Sequence, residues 1–157
     1  MPAEIRHEVE LPFPIERVWK ALTDGKEMSQ WFTYSEIAPV KGHRFRIIGK
    51  PQPGWDGMIR CEVLEVDPPR RIVYSWETTT NAPQRVEWTL TPSARGAATV
   101  VRLRHSGFAG FSGWALRLMM SRGWLKHLRA SLPDWLRTGA PPRPPYTPAR
   151  DQLEARG

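Results

Sequence analysis

Cysteine is nearly missing from this chain of 157 residues. Cys61 stands alone, so an internal disulfide is excluded and a reducing compartment fits. There is no run of about 18 apolar residues, which argues against a transmembrane helix. The opening MPAEIRHEVELPF carries acids early and lacks an apolar core, so no secretory signal is expected. The chain also lacks a phosphate-cradling glycine loop, a dinucleotide fingerprint and a nucleophile elbow. Its four histidines, His7, His43, His105 and His127, are far apart, and no pair has helical metal spacing. No cofactor and no metal are expected. The expectation is a cytoplasmic protein without membrane insertion.

What is present is basic and aromatic. The net charge is +7, but the arginines are spread along the chain, many of them beside Glu62, Glu65, Glu77 and Glu87. That pattern reads as a solvated face and gives no reason to expect nucleic acid. Eight tryptophans are unusual for this length. Each is a large apolar body with one donor, and together they suggest a wide aromatic interior.

Periodicity supplies the elements. Residues 4–12 alternate, with Ile5, His7, Val9 and Leu11 on one face, as a half-buried strand does. Pro14 opens a helix with Ile15, Val18, Trp19 and Leu22 at helical spacing. Thr23-Asp24-Gly25 ends it and starts a second, which carries Met28, Trp31 and Phe32. Strands are predicted at 43–49, 57–66, 70–77, 85–91 and 98–105, divided by glycine and proline turns. Ile59, Cys61 and Val63 face inward, as do Tyr74 and Trp76, Val86, Trp88 and Leu90, and Val101, Leu103 and His105. From Ser112 to Arg137 a helix is predicted, with Trp114, Leu118, Ser121, Leu125, Leu128, Leu132 and Leu136 as its inward stripe and Pro133 interrupting it. Residues 139–157 hold five prolines and read as an extended or mobile tail.

This order makes an α+β domain over residues 1–138. A curved antiparallel sheet of six to seven strands wraps a long C-terminal helix, two short helices follow the first strand, and the tail of 139–157 comes last. The segment Pro14–Asp24 with Trp31-Phe32, the turn Gly42-His43-Arg44-Phe45, and Trp55-Asp56-Gly57 lie in the order of a known family. So do Glu62–Arg70, Val73–Trp76, Val86–Pro92, His105–Phe108 and Gly123-Trp124 with Leu128 and Leu132. Together they resemble the activator of heat-shock-protein-90 ATPase homologue-like family. That family lies in the START/polyketide-cyclase-like SRPBCC superfamily, and the resemblance covers about residues 4–137. It implies the helix-grip fold. One departure is His43, where the family usually has a second glycine.

The resemblance leaves the function open, because members include small-ligand carriers, cyclases and co-chaperone domains. The residues favour binding of a small apolar or aromatic molecule, such as a lipid or metabolite, in an internal cavity. Expected wall residues are Trp31, Phe32, Phe45, Trp55, Met58, Tyr74, Trp76, Trp88, His105, Phe108, Met119 and Trp124. His105 could orient a polar group or act as an acid or base, or be a satisfied strand-end histidine. Tyr74, Cys61 and Asp56 are weaker catalytic candidates with ordinary core or turn readings. A cyclase or aromatase would need more inward polar groups than these. The remaining alternative is an interaction module with a protein partner or a homodimer contact around Leu116, Met119 and Met120.

Overall fold

The computed structural model describes residues 4–94, 97–141 and 143–155. Seven strands form one antiparallel sheet: β1 (Glu4–Leu11), β2 (Tyr34–Ser35), β3 (Arg44–Ile48), β4 (Met58–Asp67), β5 (Arg71–Trp76), β6 (Gln84–Pro92) and β7 (Thr99–Ser106). Their order is β1-β7-β6-β5-β4-β3-β2. Only the first strand leaves the sequential meander, and it closes the far edge against β7 from Glu4↔Ser106 to Leu11↔Thr99.

The outer face is wet and paired. Arg104 bonds Glu4 at 2.7 Å, Arg102 bonds Glu8 at 2.6 Å, and Arg71 reaches both Glu65 and Glu87. Several of the strand arginines are therefore paired across the ladder, each exposed pair contributing roughly 0.2–1 kcal/mol.

Two short helices, α1 (Ile15–Thr23) and α2 (Gly25–Trp31), cap one end. Asp24 separates them, and its carboxylate accepts from the backbone N–H groups of Lys26 and Glu27 in the first turn of α2. The closing helix is α3 (Gly110–Lys126), a π-helical turn at His127–Ser131 and α4 (Leu132–Thr138). Pro133 sits in the first turn of α4, where its missing N–H is tolerated, and the wide turn precedes it. The predicted interruption thus takes the form of one loosened turn in a helix that runs on.

The inward face of this helix differs from the predicted stripe. Gly113, Trp124, Leu128, Leu132 and Leu136 are buried, while Trp114 and Leu118 are 48% and 42% exposed. Leu116 and Met120 pack partly on the core. The cause is a close approach: a Cβ on Gly113 would stand 3.1 Å from the Phe108 carbonyl carbon. Apolar residues surround the first half of α3, so spacing alone could not choose the face. The tail also departs from a plain extended segment, since α5 (Arg150–Glu154) forms in it. Gln152 donates to the carbonyls of Gly49 and Asp56, and Arg46 donates to those of Leu153 and Ala155.

Candidate functional site

Strand alternation places the polar groups of the interior. On β6, Gln84, Val86 and Trp88 share the inward row, and β7 sets His105 opposite Val86. From the helix side, Trp124 donates its indole N–H to His105 Nδ1 at 3.0 Å. An indole can only donate, so Nδ1 carries the lone pair and the imidazole proton sits on Nε2. Nε2 then donates to Gln84 Oε1 at 2.7 Å. Beside this chain, Trp88 donates to the Tyr74 hydroxyl at 3.0 Å.

The electrostatics follow from burial. Desolvation pushes His105 down to about 3, so its ring is neutral near pH 7. The Tyr74 phenol is pushed up by burial, and so is the Cys61 thiol, which stays protonated. Both His105 nitrogens are already engaged, leaving none for a substrate. Proton transfer would require one of these bonds to break. Asp56 serves its turn, accepting from the Met58 backbone N–H at 3.0 Å.

Rings fill the remaining space. Trp124 lies face to face with Phe32 at 4.9 Å and edge-on to Trp88 at 5.4 Å, with Trp76 at 6.0 Å. His105 touches Trp76 and Phe108, each at 4.9 Å. Phe45 meets Tyr74 edge-on at 5.3 Å. The side chains expected to wall a cavity thus occupy each other's volume. Trp31 is buried and donates to the Ala21 carbonyl. Trp55 is half-buried in the turn before β4, its indole N–H buried without a hydrogen-bond partner among the described residues. Two expected wall residues do not face the interior. Met119 is 65% exposed, on the outer side of α3. Met58 pairs with Ile48 and belongs to the row of Arg60 and Glu62, opposite the inward Ile59, Cys61 and Val63.

Larger recesses open at the surface. A groove of about 660 Å³ runs along the charged outer face beside the tail, and one of about 570 Å³ lies at the α1–α2 corner. The third, of about 530 Å³, touches the aromatic core at Trp31 and Phe32. It is lined by Trp31, Phe32, Lys50, His127, Arg143 and Tyr146, among others. Phe32 links it to the interior, stacked on Trp124 and edge-on to His127 at 5.0 Å. His127 Nδ1 is buried without a hydrogen-bond partner among the described residues. Burial, then the nearby Arg143, pushes His127 down to about 4. Among the described residues no carboxylate lines this recess. Among the described residues, no group of histidine, cysteine and acidic side chains could hold a metal ion.

The sequence reading missed Gln84 and His127. Gln84 lies two residues before Val86 in the same inward row, so extending the alternation finds it. His127 follows Trp124 by three residues, one helical step along the same face.

No curated protein matches the chain. Among solved structures, MLL2253 from Mesorhizobium loti is 29% identical, with a TM-score of 0.76 over 86% of this chain and 98% of that one. DynU16, encoded in the dynemicin biosynthetic locus, is 28% identical with a TM-score of 0.73, over 92% of this chain and 51% of its own. The Aha1 dimer from Colwellia psychrerythraea shares the fold at 21% identity and a TM-score of 0.68, over 87% and 97%. The family model of Activator of Hsp90 ATPase homolog 1-like proteins matches residues 12–137, and the chain belongs to that family.

Proposed function

We propose that this protein binds one small, largely apolar or aromatic molecule where the recess meets Phe32. The observation that carries the reading is the position of that ring. It is half-buried, lies on Trp124 inside and lines the 530 Å³ recess outside. A ligand ring can stack there on the exposed side of Phe32. It can also displace Phe32 and reach Trp124, Trp88 and Trp76, with Gln84 and His105 behind them. Binding sites are commonly apolar with a few convergent polar groups, and this cluster has that composition. A similar structure, DynU16, is encoded in a biosynthetic locus, which is in keeping with a small-molecule role.

Indole N–H resonances provide the test, with 2-naphthol as the probe. Saturable shifts of the Trp31 and Trp124 signals, with Trp114 unmoved, are expected in the parent. Phe32→Ala should weaken binding by at least about tenfold, since an aromatic stack and its buried area are lost. Shifts confined to Trp114, or none in the parent, would refute the site.

A further inference from the structure

We infer that the outer face of α3 is a docking surface for anionic lipid bilayers, on which the protein rests without crossing. Phe111 is 83% exposed, Met119 65%, Trp114 48% and Leu118 42%. Phe111 and Trp114 stack on each other at 5.8 Å, so the two rings form one apolar platform in water. The spacing of 111, 114, 118, 119 and 122 places all five side chains on one helical face. Toward the C-terminal end the same face turns cationic through Arg122, Lys126 and Arg129, all exposed. None of these three cations has an ion pair among the described residues, unlike Arg102 and Arg104 of the sheet.

The charge pattern chooses the occupant. From Trp88 to Pro133 the sequence contains no aspartate or glutamate. A second copy docked face to face would bring two such cationic helices together with no acid from either to offset them. An anionic lipid surface complements both halves: acyl chains accept the rings, and headgroups accept the guanidinium and ammonium groups. Tryptophan and phenylalanine suit the interfacial depth. Among the described residues no helix is long and apolar enough to cross a membrane, so the helix lies in the plane of the surface. This surface is separate from the Phe32 recess and stands without it.

Vesicle co-sedimentation tests the inference. The full chain is mixed with phosphatidylcholine vesicles, either pure or with about a third phosphatidylserine. The parent should sediment with the anionic vesicles at least about tenfold better than with the neutral ones, and less well as salt rises. Phe111→Ser combined with Trp114→Ser keeps the net charge and removes the platform; it should cut binding at least about tenfold. Replacing Arg122, Lys126 and Arg129 with Gln should do the same while leaving the rings. Both variants alter exposed side chains, and circular dichroism checks that they stay folded. Equal sedimentation of the serine variant and the parent would reduce the effect to bulk charge and overturn the inference. So would a parent that ignores both vesicles. A solution dimer that the serine variant turns into a monomer, with no vesicle binding, would assign the face to a second copy instead.

Discussion

Trp124 donates to Nδ1 of His105, and this single bond from helix to sheet fixes the tautomer of a wholly buried imidazole. The other nitrogen then has one role, donating to Gln84. The result is a neutral polar bridge across the grip, where a charged histidine would lose one of its two partnerships.

Stability should therefore fall on acidification. His105 is depressed to about 3 and His127 to about 4, whereas both take up a proton near 6.5 when unfolded. Between those limits the unfolded chain binds more protons, so stability rises with pH and is lost as pH drops below about 6.5. Each histidine contributes at most about 1.4 kcal/mol per pH unit. Urea unfolding from pH 7 to 4 measures the slope. His105→Leu should flatten it by close to one proton; an unchanged slope would contradict a neutral His105.

His105→Leu should also cost about 2–4 kcal/mol at pH 7, because the Trp124 N–H and the Gln84 carbonyl both lose their partner in a dry interior. The midpoint of the same titrations gives this number.

Tyr74→Phe removes one oxygen from the core and strands the Trp88 indole N–H. A loss of about 1–3 kcal/mol is expected. A variant as stable as the parent would mean that the bond has no net value.

Deletion of 139–157 should leave a folded body. The main core cluster ends at Leu136, and the tail is held by hydrogen bonds from Gln152 and Arg46. We expect cooperative unfolding with an unchanged far-ultraviolet spectrum shape, while amides near Gly49 and Asp56 exchange faster. Loss of cooperative unfolding would show the tail to be part of the domain.

The sheet was legible because each strand buries one face. Val86, Trp88 and Leu90 alternate with charged or hydroxyl residues, and period two admits a single orientation for them. The same parity turns His105 inward. The orientation of α3 was not legible, since its first half is apolar on both sides and a backbone approach at Gly113 decides the matter. The two-residue β2 carries too little pattern to be read. The partners of His105 come from β6 and α3, and no local spacing brings them together. Packing is the least legible property: the same list of aromatics describes an empty pocket or rings stacked on rings.

Native mass spectrometry of the protein purified from its own cells, followed by organic extraction, tests small-molecule binding most directly. A stoichiometric added mass is predicted, with an apolar or aromatic compound in the extract and loss of that mass in Phe32→Asp. A bare mass with nothing in the extract, or an added mass that Phe32→Asp retains in full, would contradict the proposed site.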